Sequence, residues 1–428
     1  MKLLVFAHTP PPHHGQSYMV QLMLNGFGGN QRKSAKTAAL QQDSSGSAFG
    51  IECYHVNARL SQKLEDIGDL RVGKFILLMG YCLQAIWCRF RYGVTHFYYI
   101  PAPGKRSALY RDWLVMLICR PFFKRIILHW HAAGLAKWLE TVVQIRSRAI
   151  TYHFMKQVDL SIVLSRYNRA DAEKLMSKEI HVVSNGIPDP CREFDSQVLP
   201  RRLARAAARK RIFAGERLTA EDVARAYHDV HLVKVLYLAH CTREKGVFDS
   251  VNGVALANEQ LRHRQLPLQI KLLVTGNFVL PGDKAHFDEL LRQRELSKDV
   301  EYLGFVSGEQ KNRLLRESDI FCFPTYYENE NQPVNLIEAM AFGMPILTTR
   351  WRSIPELFPV NYPGIVDIQS PEQIARGLIS LMQNDTGEGF REIFLRNFTL
   401  EGHLTGLAQA LRHLEELPAA AAPAWQRT

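Results

Sequence analysis

The sequence is short of three things, and each shortage excludes something. No stretch of about 18 uninterrupted apolar residues occurs, which argues against a conventional transmembrane helix. The seven cysteines (Cys53, Cys82, Cys88, Cys119, Cys191, Cys241 and Cys322) are scattered, without a CxxC pair. That argues for a reducing cytosol, and against a disulfide framework or a zinc site. Acidic charge is scarce in one half only. Residues 1–190 hold 24 Lys and Arg against 12 Asp and Glu, and the rest hold 29 against 30, so the first half carries the whole net charge of +11. Between Arg71 and Lys137, eleven basic residues face a single acid, Asp112.

The same basic span contains "FILLMGYCLQAIWCRF" and "WLVMLICRPFF", both strongly apolar and edged by Arg and Lys. Apolar faces flanked by cations suit a surface resting on anionic lipid headgroups. They suit equally well two core helices with basic ends, and the sequence leaves both readings open. Nucleic acid is not expected as a partner, because no recognised binding module or aromatic–basic repeat is present. The opening "MKLLVFAHTPPPHHG" has an apolar run of only about five residues and no small-residue cleavage site. It reads as a buried strand rather than a signal peptide.

With 428 residues, 46% of them hydrophobic, the chain can bury more than one core. Apolar, β-branched or aromatic runs recur: "KLLVFAH", "ECYHVN", "THFYYIP", "RIILHWH", "LSIVLS" and "IHVVS", then "LVKVLYLAH", "QIKLLVTG", "VEYLGF", "DIFCFPT", "MPILTT" and "GIVDI". Continuous apolar strands alternating with helix-length stretches predict parallel sheets covered on both faces. The expected organisation is an α/β domain over 1–190, a basic helical connector over 191–232, a second α/β domain over 233–400 and a C-terminal helix with a flexible tail over 401–428. The connector, "RRLARAAARKRIFAGERLTAEDVARAYHDV", is expected to be helical and exposed. Residues 28–50 read as a flexible loop and "LPAAAAPAWQRT" as a frayed tail.

Ligands of open α/β sheets bind at the carboxyl ends of strands, where helix N-termini point. Those ends single out few residues. "HTPPPHHGQS" follows the first run and ends its turn at Gly15, where backbone amides can approach an anion. His131 follows "RIILHW". "CTREKG" places Arg243 and Lys245 at a helix opening. "YYENENQPVNLIEAMAFGMP" carries Glu330 and Glu338. Cations and helix N-termini on one side, with carboxylates on the other, describe a nucleotide-sugar pocket: the cations hold a diphosphate and a carboxylate accepts paired hydroxyls. Alone, two glutamates eight apart are usually solvated surface acids and "CTREKG" a charged helix start. His131 alone is as readily a packed histidine. His13 and His14 lie in a proline-rich loop, and His8, His129 and Trp130 read as packing residues. No carboxylate or cysteine accompanies these histidines at ligand spacing, so no metal is expected.

What changes the odds is the tail. "ENQPVNLIEAMAFGMPI" resembles the E-x7-E signature of retaining, family 4-type glycosyltransferases, with Ala339 to Pro345 completing it. "SNGIPDP", "REKG" and "PPPHHGQS" resemble, in order, the family's domain-boundary, diphosphate and first glycine-loop segments. The resemblance implies the GT-B fold, two Rossmann-like doubly wound parallel-sheet domains facing across a cleft, with no metal ion or other cofactor. It implies that Glu338 holds the donor ribose and Glu330 the transferred sugar. Lys245 would pair with the diphosphate, with Arg243 nearby and amides of Val334 and Asn335 as further donors. Base contacts would fall near "GFVSGEQ", around Val306. His131 would touch the donor sugar or the reacting centre, and Gly15 the phosphates. One departure is His240, where the family often has an arginine.

The expected activity is therefore that of a retaining, metal-independent hexosyltransferase, using a nucleoside-diphosphate sugar. Its expected acceptor is a lipid-linked or membrane-surface saccharide in cell-surface polysaccharide synthesis, and its expected location cytoplasmic and peripheral at the inner face of the membrane. A soluble acceptor, a catalytically silent nucleotide-sugar-binding scaffold and a nucleotide-sugar epimerase are the alternatives. A glycosidase would leave Lys245 and the Gly15 loop without a role.

Overall fold

A computed structural model of the chain describes residues 1–11, 15–32, 49–60, 72–101, 104–226, 230–383 and 387–417. Within them the chain divides into two units, Met1–Ile187 together with the segment from Leu400, and Pro188–Thr399. The histidine pair of the first loop, most of the polar stretch 28–50 and the C-terminal tail lie outside the described residues.

The first unit is built on six parallel strands: β1 (Lys2–Ala7), β2 (Glu52–Asn57), β3 (His96–Tyr99), β4 (Arg125–Trp130), β5 (Leu160–Val163) and β6 (Glu179–Val182), in the order β2-β1-β3-β4-β5-β6. The strands read as unbroken apolar runs because the period-2 alternation serves two cores at once. On one face Leu4, Phe6, Phe97, Tyr99 and Leu128 pack under the helices Val72–Tyr92 and Arg106–Cys119. On the other, Leu3, Val5, Tyr98 and Ile127 meet the helix Gly15–Gly26. Leu404, Leu407, Leu411 and Leu414 of the C-terminal helix Leu400–Glu416 join that second core, so the end of the chain packs in the first unit. The basic span's only acid is used internally. Asp112 is buried, accepts a 2.6 Å bond from the Tyr99 hydroxyl and pairs with Arg111.

The second unit repeats the principle with β7 (Leu232–Leu238), β8 (Gln269–Thr275), β9 (Val300–Gly304), β10 (Ile320–Phe323), β11 (Ile346–Thr349) and β12 (Ile365–Val366), in the order β12-β11-β10-β7-β8-β9. All pairings are parallel. The order reverses between β7 and β10, so the helices that follow these two neighbours leave on opposite faces and open a crevice at their carboxyl ends.

One expectation is corrected here. The arginine-rich helix Leu199–Phe213 is not an exposed connector. Arg202, Arg205 and Arg209, spaced to share one helix face, are buried within the second unit. Arg202 donates to Leu315 O and Ser318 O, both at 2.9 Å, carbonyls at the C-terminal end of the helix Gly308–Glu317 that have no partner within that helix. Arg205 and Arg209 pair with Asp319 at 3.3 and 3.0 Å. Burial pushes the Asp319 carboxyl up, but the two guanidiniums outweigh it and hold the group at about 2. Side chains that look like a solvated charge run thus cap a helix and neutralise a buried acid.

Candidate functional site

The crevice between β7 and β10 gathers most of the second-unit candidates. β7 ends at Leu238, and the chain then passes through a short 3-10 turn, Arg243–Lys245, into the helix Val247–His263. Gly246 joins the two at φ +81°, where a Cβ would fall 2.3 Å from Pro324 O. Only glycine allows this turn to press against the end of β10. The Tyr237 hydroxyl donates to the carbonyls of His240 and Lys245, at 2.9 and 3.3 Å. From the other side, Tyr326 N–H donates to Glu244 O at 2.8 Å. One backbone bond therefore ties the two loops together, and the Tyr237 side chain braces the first of them.

Lys245 and Glu330 meet in this frame. Lys245 Nζ donates to Glu330 Oε2 at 2.6 Å, and the Thr325 hydroxyl donates to the same oxygen at 3.0 Å. The ammonium also lies 4.4 Å from the centre of the Tyr327 ring and 5.6 Å from that of Phe323. Both charges are largely shielded from water, which strengthens their attraction and makes either one costly to leave alone. The loop that carries Glu330 is fixed by Trp351 Nε1, donating to Tyr327 O at 2.8 Å, and by the buried Ser353 hydroxyl on Asn331.

The helix Val334–Ala341 leaves from this loop, with Pro333 as its N-cap. Its first amides, those of Val334 and Asn335, have no acceptor within the helix and form its positive end. The Asn335 side chain donates to Leu238 O at 2.9 Å, tying the helix start to the end of β7. One turn on, Glu338 is buried and paired with Lys311 of the helix Gly308–Glu317. The helix stops at Gly343, in the left-handed region at φ +56°, with Met344 N–H donating back to Ala339 O at 3.1 Å. That is the structural meaning of the Gly–Pro break after the alanine- and methionine-rich stretch.

The remaining second-unit candidates are less central. Arg243 is exposed, its guanidinium 5.0 Å from the Phe248 ring. His240 is kept below the ordinary imidazole range, first by burial and then by the field of Lys245, so it is a neutral ring where the family resemblance leads one to expect a cation. Val306 is buried. Lys311 was missed in the sequence. Its only signal was its place, four residues after Ser307, the N-cap of the helix that follows β9.

Two candidates belong to the first unit. Gly15 is the exposed first residue of the helix Gly15–Gly26. His131 follows β4, its ring centre 4.2 Å from that of His129, which is buried and hydrogen-bonded through Nδ1 to the Tyr98 hydroxyl. Burial, reinforced by His131 and His403, holds His129 well below the usual range. The amides of Gly134 and Ala136 at the next helix start already donate to Asp171, at 2.8 and 2.6 Å. That helix end therefore serves to shape the His131 loop. A remote trio, Glu179, His181 and His413, is the one grouping among the described residues with side-chain atoms close enough to hold a metal ion.

Two doubly wound parallel-sheet units, the second with a cation–carboxylate pair at its topological switch point, define the class: the GT-B fold. Comparison with known proteins narrows this. Residues 225–397, a span within the second unit that includes Lys245, Glu330 and Glu338, match the family model described as "Glycosyl transferases group 1". The chain is 27% identical over 161 residues to the putative colanic acid biosynthesis glycosyltransferase WcaL of Escherichia coli K12, covering 36% of this chain and 37% of that protein. It is 28% identical over 155 residues to the amylovoran biosynthesis glycosyltransferase AmsK of Erwinia amylovora, covering 35% of each. The matches thus span little more than a third of these relatives. In overall fold the chain resembles Anabaena HepE, solved in complex with UDP and glucose, with a TM-score of 0.59 and 14% identity over 96% of this chain and 100% of that one.

Proposed function

We propose that this protein is a glycosyltransferase of cell-surface polysaccharide assembly, which moves a hexose from a nucleoside-diphosphate sugar to a lipid-linked or membrane-surface saccharide with retention of configuration and without a metal ion. The observation that carries the reading is the Lys245–Glu330 pair at the β7/β10 crevice, inside the region that matches the glycosyl transferases group 1. The WcaL and AmsK similarities support the polysaccharide context, and the HepE complex supports a nucleotide donor.

In this reading, negative charge develops on the diphosphate as the sugar–phosphate bond breaks. Lys245 and the first amides of the Val334–Ala341 helix stabilise that charge. Glu330 accepts hydrogen bonds from hydroxyls of the transferred sugar, and Glu338 from the ribose. Both carboxylates have lysine partners, so donor binding would exchange one set of charge-assisted bonds for another, with Lys245 turning toward the phosphates as Glu330 takes up the sugar. The cationic first half faces the anionic membrane on the inner, cytoplasmic side.

A second reading, a scaffold that binds nucleotide sugar without turnover, draws on His240, whose neutral ring removes one phosphate-binding cation. The test is a donor screen: UDP-, GDP- and ADP-sugars, with and without membrane lipid extract, scored by nucleoside diphosphate release. Extract-dependent release that, with donor kept below KM, falls sharply in both Lys245→Ala and Glu338→Ala supports the proposal. Release without extract indicates a soluble acceptor or hydrolysis, and binding without release indicates the scaffold.

A further inference from the structure

The helix Val72–Tyr92 is apolar on two faces. Its inner face, Leu78, Cys82, Ala85 and Cys88, is buried in the core beneath the first sheet. A second line runs along the outside. Ile76, Leu83, Trp87 and Phe90 are 66%, 60%, 51% and 69% exposed, and their spacing of seven, four and three residues sets them on one side of the helix. Between them sits Gly80, open to solvent. The line is about 21 Å long, from 14 residues at a rise of about 1.5 Å. Beyond its end the surface continues through the exposed ring of Phe122, which meets Phe90 edge-on at 6.1 Å and is held by Arg89 Nε donating to Phe122 O at 2.9 Å.

The inner face accounts for the helix's role in folding, whereas the outer line is covered by none of the described residues of the unit. Contiguous apolar surface of this kind marks a docking site rather than ordinary solvent-facing protein. Its charge identifies the occupant. The helix contains no acidic residue, carries Lys74 near its start and Arg89 and Arg91 in its last turn, and is followed by the exposed Lys124 beside Phe122. The only hydrogen-bonding group in the line is the indole N–H of Trp87, a ring suited to the headgroup boundary, and the other three side chains suit acyl chains. Two copies of the face would set Arg89, Arg91 and Lys124 against their counterparts, with no acidic residue on the helix itself to relieve them. Among the described residues no helix is long and apolar enough to cross a membrane, so the helix would lie in the surface plane.

We propose that the Ile76–Phe90 face, extended by Phe122, is the surface through which the protein docks on an anionic bilayer. This deepens the membrane-acceptor reading given above, on which its purpose rests, but its test needs no sugar transfer. Full-length protein is sedimented with vesicles of phosphatidylcholine alone and with about one third phosphatidylglycerol, at low and high salt. The expected result is binding to the anionic vesicles that weakens with salt and falls at least about tenfold in Leu83→Glu/Phe90→Glu, since each change removes apolar contact and adds a repelled charge. Nucleoside diphosphate release from donor alone and the melting temperature should stay unchanged in that variant. Trp87 supplies an independent readout: the blue shift of tryptophan emission on adding vesicles should shrink in Trp87→Phe, whatever the fate of the double variant. No vesicle binding, binding indifferent to lipid charge, or equal binding by the variants would overturn the proposal. So would a native dimer that Leu83→Glu/Phe90→Glu converts to monomer, which would make the face a self-interface. Loss of donor turnover with vesicle binding intact would instead count against the transferase reading alone.

Discussion

Replacing Lys245 with alanine should reveal whether the cation acts on the substrate or merely holds Glu330. At 2.6 Å and an effective dielectric of about 20, the gross attraction of the pair is about 6 kcal/mol. Desolvation and the ordering of a long side chain offset much of this, and Thr325 still donates to Glu330 when the lysine is gone. A net coupling of about 1–3 kcal/mol is therefore expected from a stability cycle of Lys245→Ala, Glu330→Gln and the double variant, read by urea denaturation. Catalysis should partition differently. A cation that meets the leaving diphosphate is worth about 10²–10³ in turnover, or roughly 3–4 kcal/mol, and in the proposed mechanism Glu330 acts on another part of the donor. In single-turnover measurements of nucleoside diphosphate release, Lys245→Ala should thus slow the reaction by about the same factor in the wild-type and Glu330→Gln backgrounds. If Lys245→Ala has no effect once Glu330 is glutamine, the lysine serves only to position the carboxylate, and the assignment of its charge to the leaving group is wrong.

Glu338→Ala removes a carboxylate expected to meet ribose hydroxyls in both ground and transition states. It should raise the KM for donor by about 10–100-fold with a smaller change in kcat, in line with about 1.5–3 kcal/mol for a charge-assisted bond; a fall in kcat alone would contradict this. His403 donates to Ser184 O at 2.6 Å and is held down at about 4 by burial, which outweighs that hydrogen bond. The unfolded chain takes up its proton below about pH 6.5 and the folded chain only near 4, so stability from this group is complete above 6.5 and lost as pH falls through that window. The loss should reach about 2 kcal/mol by pH 5, and His403→Gln should flatten this part of a urea-midpoint profile. Asp319→Ala strands Arg205 and Arg209 in the interior and should lower the unfolding free energy by about 3–5 kcal/mol; a change under about 1 kcal/mol would show that the arginines' backbone acceptors suffice.

Much of the architecture was legible in the chain because it rests on local pattern. Strands buried on both faces must be apolar throughout, so all twelve runs stood out, and the helix lengths between them implied parallel pairing. The glutamates eight apart were legible because a loop, a helix start and a glycine stop occupy one contiguous segment. Partners distant in sequence were not legible. Nothing near Glu338 points to Lys311, 27 residues earlier, and nothing near Arg202 or Arg209 reveals the carbonyls and the carboxylate, more than 100 residues on, that make their burial tolerable. A charge run in isolation looks solvated, since its burial depends on acceptors that only the assembled sheet provides.

The sequence by itself determined the two α/β units, the order in which the strands and their ligand-facing ends appear, and the residue types available at those ends. Only the tertiary structure decided the strand order that places the crevice between β7 and β10, the pairing of each candidate carboxylate with a lysine, the return of the final helix to the first unit, and the division of one apolar helix into a buried face and an exposed one. The reason is the range of the interactions involved. Propensity and periodicity act over a few residues, whereas ion pairs, backbone capping by remote side chains and burial are properties of surfaces brought together across the whole chain.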